Sequence, residues 1–69
     1  MPKLTPSPAD LLRVAAQHEQ LANALAQAAA GFTRQGEHVI AKAALETCHR
    51  HRARALMART RAEAAGEAI

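Results

Sequence analysis

From Pro8 onward the chain mixes apolar and polar residues with a helical period, and it does so in two long runs. In the first, PADLLRVAAQHEQLANALAQAAA, the stripe Leu11, Val14, His18, Leu21, Leu25, Ala28 and Phe32 is spaced three, four, three, four, three, four. That spacing is the heptad seam of a bundle helix, which presents one face to a neighbour about every 3.5 residues. His18 is its polar member. The run is built mostly of strong helix formers and predicts a first helix over about 8–30. Prolines at 2, 6 and 8 make residues 1–7 an extended lead. It ends at a helix start: Ser7 can cap, Pro8 suits the first turn, and Asp10 sits three residues after the cap.

In GFTRQGE two glycines, Gly31 and Gly36, bracket a turn expected over about 31–36. A second stretch free of Gly and Pro runs from Glu37 to Ala65 and predicts a second helix over about 37–65, stopped by Gly66, with 67–69 frayed. At about 100° per residue, Ile40, Ala41, Ala44, Leu45, Cys48, Ala55, Leu56 and Ala62 share its core-facing side. A short loop between two long helices makes them antiparallel neighbours. The expected fold is therefore all-α, one αα-hairpin domain over 8–66 that dimerises into a four-helix bundle. Its core and dimer contacts are expected from Leu11, Val14, His18, Leu21, Leu25, Phe32, Leu45, Cys48 and Leu56.

Composition supports the second copy. The hydrophobic fraction is 49%, but nineteen of these residues are alanine, against seven Leu, two Val, two Ile, two Met and one Phe. A thin core in so short a chain supplies little stability, and small domains add a disulfide, a metal or another chain. A single cysteine forms no internal bridge, so a homodimer is the expected supplement. The lone Cys, and the lack of an export signal or an 18-residue apolar run, point to the cytoplasm and away from a membrane. The heavy use of Ala and Arg suggests a bacterial or phage source.

The net charge of +3 is concentrated late in the chain, where CHRHRARALMARTR carries five arginines and two histidines. On a helix, Arg50, Arg54 and Arg61 cluster with Met57 and Val39 on the side opposite the core. With Arg34 at the turn end, these six form the expected partner-binding surface. Arg and Met are enriched in protein interfaces, and Arg bonds carboxylates bidentately, so a protein with an acidic surface is the expected partner. Nucleic acid is the alternative, since clustered arginines also neutralise phosphates. Against it stand a single Phe, no Tyr and no Trp, and hence no stacking platform. Arg52 and Arg59 fall near the middle of the apolar face, where each must reach solvent or a carboxylate. With the turn near Thr33, Asp10 is the expected partner.

By the same register Cys48 lies across from His18, with His49 and His51 nearby. His and Cys are zinc ligands, yet the chain has no CxxC, HxxxH or HExxH spacing, so no metal and no cofactor is expected. Cys48 reads as a small core hydrophobe and His18 as a register-fixing polar residue that would make the dimer pH-sensitive. Catalysis is not expected either: no Gly-rich phosphate loop is present, and Ser7, the only serine, is placed for capping. A short hairpin paired into four helices resembles, in topology alone, the repressor-of-primer family of plasmid proteins. In size it resembles the short chaperones of secretion systems and the small phage proteins that disable a host protein. The expected function is a non-enzymatic protein-binding module that docks on a partner and modulates or inhibits it.

Overall fold

The computed structural model describes residues 6–67, apart from the side chain of Glu67. Residues 1–5 of the expected lead over 1–7, and residues 68–69 of the expected frayed end over 67–69, lie outside them. Two helices, α1 (Pro8–Arg34) and α2 (His38–Glu67), pack against each other as a hairpin. The molecule is narrow, 51 × 25 × 13 Å along its principal axes.

The start of α1 is the one the sequence predicts. The Asp10 backbone N–H donates to Ser7 Oγ at 3.1 Å, and the Ser7 N–H donates back to Asp10 Oδ2 at 3.4 Å. This capping box satisfies two of the donors that every helix N-terminus leaves unpaired. Hydrogen bonding from Ser7, chiefly through its side chain, holds the Asp10 carboxyl below the usual carboxylate range, with the Arg13 charge adding to it. Asp10 also pairs with Arg13 at 3.0 Å, one turn on.

The turn lies later than expected. Helix α1 runs through Gly31 and ends at Arg34, because the residue that turns the chain is Gly36, at φ +80°. The N–H of Gly36 donates to the Thr33 carbonyl at 3.0 Å, and that of Glu37 to the Phe32 carbonyl at 2.8 Å. These are the two bonds of a Schellman cap, which needs a left-handed residue at Gly36's position. Gly66 does not stop α2, which continues to Glu67; its backbone is not left-handed, so it has no capping geometry.

The seam is made of small residues. In α1 the buried positions are Leu11, Ala15, Ala22 and Ala29; in α2 they are Ala41, Cys48, Ala55, Ala58 and Ala62. Ala15, Ala22 and Ala29 repeat every seven residues, as do Ala41, Cys48, Ala55 and Ala62. Half-buried His18, Leu25 and Phe32 fill the alternate positions of α1, and Ala44 and His51 those of α2. Methyl groups facing methyl groups let the axes approach toward the lower end of the usual range of about 8–10 Å.

Several residues expected in the core are therefore elsewhere. Val14, Leu21, Leu45, Leu56 and Ile40 are exposed, with Leu56 retaining 65% of its accessible surface. A seam this tight has no room for them, and they flank it.

The cap predicts opposite signs for two glycine substitutions. Gly36→Ala places a Cβ in the left-handed region and should cost about 1–2 kcal/mol. Gly31→Ala adds a helical methyl whose nearest non-local neighbour, the Arg34 guanidinium, is 3.7 Å away, and should add about 0.5–1 kcal/mol. Urea unfolding followed by helicity measures both; equal midpoints would show the cap assignment to be wrong.

Candidate functional site

Seven-residue spacing divides the hairpin surface into two flanks. Along one lie Val14, Leu21 and Ala28 of α1 with Ile40, Thr47, Arg54 and Arg61 of α2; along the other lie Leu12, Glu19 and Ala26 with Leu45, Arg52 and Arg59. Each flank carries a groove where the helices meet.

On the first flank, near the open end of the hairpin, Leu11, Val14 and His18 of α1 face Arg54, Met57, Ala58 and Arg61 of α2, with Pro6 closing the end, around about 320 Å³. The floor is apolar and the α2 rim carries two guanidinium groups. Among the described residues neither Arg54 nor Arg61 has a carboxylate partner; the ion pairs there are Arg13 with Asp10 and Arg59 with Glu19. Of the six residues expected to bind a partner, the hairpin gathers Arg54, Met57 and Arg61 here. Arg50, Val39 and Arg34 are exposed but do not line the groove, and Val39 is 85% accessible. The arginine stripe thus borders α1, where the sequence placed it opposite the core. Leu11 and Val14, expected as core and dimer residues, form the groove's floor.

The second groove, about 340 Å³, is lined by Glu19, Asn23, Arg52, Ala55, Leu56 and Arg59. Arg59 pairs with Glu19 rather than with Asp10. Two things produce this. Asp10 points to the opposite side of α1 from Glu19, at about 100° per residue, and long helical side chains lean toward their own N-terminus, so Arg59 and Glu19 on one flank of two antiparallel helices lean toward each other.

At the middle of the seam two histidines meet. The His18 and His51 Nδ1 atoms are 2.8 Å apart and their ring centroids 5.1 Å, with 30° between the ring planes. The two distances differ by about two ring radii, so the rings approach nitrogen to nitrogen, not face to face. The residue level with His18 is therefore His51, one turn beyond the expected Cys48. Cys48 is a fully buried free thiol packed as a small hydrophobe, while His49 is exposed. No set of three or more His, Cys, Asp or Glu side chains among the described residues is placed to hold a metal ion. His51 was legible as a seam residue, since it stands three after Cys48 and four before Ala55.

No helix of the described chain is long and apolar enough to cross a membrane. Comparison with protein-family models, curated proteins and solved structures finds no match to this chain. The functional reading therefore stands on the geometry.

The Arg59 and Glu19 side chains stay 49% and 36% exposed, so water screens their attraction. A double-mutant cycle with Arg59→Ala and Glu19→Ala should give a coupling of about 0.2–1 kcal/mol, falling with added salt. A coupling above about 2 kcal/mol would mean the pair is far more shielded than this surface implies.

Proposed function

We propose that the chain is a non-enzymatic protein-binding module: a helical hairpin that pairs with a second copy and docks on a partner with an acidic surface, modulating or occluding it. One observation carries this reading. The groove of Leu11, Val14, Met57, Arg54 and Arg61 joins an apolar floor to two guanidinium groups that no carboxylate among the described residues pairs. That combination suits a segment presenting an apolar side chain beside Asp or Glu. The apolar anchor supplies burial, and the guanidinium fork supplies orientation through charge-assisted hydrogen bonds.

The second copy has its own support. Toward the turn, the same flank replaces arginine with Leu21, Ala28 and Ile40, beside half-buried Leu25 and Phe32. Leu21 and Ile40 each leave nearly half their surface in water. A single alanine seam buries little, and covering this stretch by the same stretch of another hairpin would complete four helices.

Two measurements test the proposal. Light scattering at micromolar concentration should give twice the 7.3 kDa chain mass, and Leu21→Asp should return it to the single-chain value. A monomeric parent would refute the paired form.

For the partner, the tagged protein is used to capture binders from bacterial lysate, with and without nuclease, beside an Arg54→Glu/Arg61→Glu variant. A discrete protein that survives nuclease and is lost with the variant supports the module. Material that nuclease abolishes, with an affinity falling steeply with salt, would instead assign the arginines to phosphates.

A further inference from the structure

Imidazole is the side chain whose charge changes between about pH 5 and 8, and here two imidazoles from different helices meet through the same kind of nitrogen. A nitrogen-to-nitrogen contact of 2.8 Å is a hydrogen bond only if one of the two atoms carries the hydrogen. One ring must donate through Nδ1–H, and the other must present a bare Nδ1 with its own hydrogen on Nε2. A first added proton is accepted on the donor ring's Nε2; the Nδ1–H then belongs to an imidazolium and the bond becomes charge-assisted. A second is not. With both rings protonated, two N–H groups and two positive charges face each other across 2.8 Å, and the contact cannot persist.

We propose that the His18–His51 contact is a proton-operated latch across the hairpin seam, closed while the pair holds at most one extra proton and opened by the second.

The surroundings add to the penalty. Among the described residues the elements that pack around the pair are α1 and α2. From α2, Arg54 and Arg61 line the same groove as His18, and the Cys48 thiol lies one turn before His51. On α1, the carboxylate next in sequence, Glu19, is held by Arg59 on the other flank, and Asp10 is engaged by Ser7 and Arg13 at the helix start. Glu37, Glu46 and Glu63 are exposed, and no carboxylate among the described residues is in ion-pair contact with either histidine. The unfolded chain has no such restriction and takes up both protons. Once the closed latch holds its one proton, unfolding is accompanied by uptake of the second, and further acid lowers stability. Asp10 does not mimic the effect. Its carboxyl is held below the usual range, so its contribution is lost only at still lower pH.

The test is urea unfolding of the full chain, followed by helicity at pH 8 and pH 5 and at one protein concentration. It compares the parent, His18→Gln/His51→Gln, and a His38→Gln/His49→Gln control that removes the two exposed imidazoles. The folded-to-unfolded ratio of the parent and of the control should drop roughly tenfold more between the two pH values than that of the seam variant, the size of one hydrogen bond lost. If the seam glutamines prevent folding, His18→Leu/His51→Ala gives an apolar seam for the same comparison. Equal pH dependence in parent and seam variant, or its loss in the control, overturns the proposal. An independent readout is the nitrogen NMR of the rings at pH 8. One Nδ1–H tautomer opposite one Nε2–H tautomer is expected; two Nε2–H rings would overturn it.

Discussion

The closeness of the two helices governs everything else in this molecule. A seam of Ala15, Ala22 and Ala29 against Ala41, Ala55 and Ala62 lets the backbones approach as they could not if leucines stood there. Each buried alanine withdraws little more than one methyl group from water, worth about 0.8 kcal/mol, whereas a buried leucine contributes about 1.5–3 kcal/mol. The hairpin thus trades burial for proximity, and its larger apolar side chains are displaced onto the flanks. Exposed Leu21, Ile40 and Leu56 are a consequence of the same packing that makes the molecule narrow. The cationic groove follows too. Because the helices are close, Arg54 and Arg61 of α2 reach the same groove as Leu11 and Val14 of α1.

Much of this was legible in the sequence, and the misreadings have physical causes. Local signals were reliable where a few side chains decide the outcome, as with Ser7, Pro8 and Asp10 at the start of α1. The hairpin itself followed from two long helix-forming runs separated by glycines. The turn was misplaced because Gly31 and Gly36 look alike as letters; only the left-handed backbone at Gly36 distinguishes them. Moving the turn by one to two residues moves every cross-helix partner by twice as much, here by three residues, close to one helical turn. That shift replaced Cys48 by His51 opposite His18. The exchange of Asp10 for Glu19 beside Arg59 has another cause: Asp10 points to the opposite side of α1 from Glu19, at about 100° per residue, and so faces away from Arg59's flank.

The core was misjudged for a different reason. Weighting positions by side-chain size singles out Val14, Leu21, Leu45 and Leu56, and in most helical pairs large apolar residues do mark the contact. Here alanine is so common that its seven-residue repeat is hard to see among the alanines that face water. Leu11, His18, Leu25 and Phe32 belong both to that large-residue stripe and to the true seam, so α1 was placed nearly right. That stripe missed the buried Ala15, Ala22 and Ala29; in α2 the repeat Ala41, Cys48, Ala55 and Ala62 was on the expected face, and the error was to add Ile40, Leu45 and Leu56 to it.

His18 ties the seam to the groove, because it is the one residue that both crosses to the opposite helix and lines the surface bordered by Arg54 and Arg61. In an alanine seam the two imidazoles of this pair are larger than the methyl groups of Ala15, Ala22 and Ala55 beside them. A change in the pair's charge therefore reaches the groove in two ways: through the field at the arginine rim, and through the spacing of the helices that form its walls. A carboxylate docking between Arg54 and Arg61 would act in the reverse direction, since negative charge there lowers the cost of a protonated His18. Were an anion to bind in the groove, its coupling to proton binding at the seam would be reciprocal, each changing the other's affinity by the same factor.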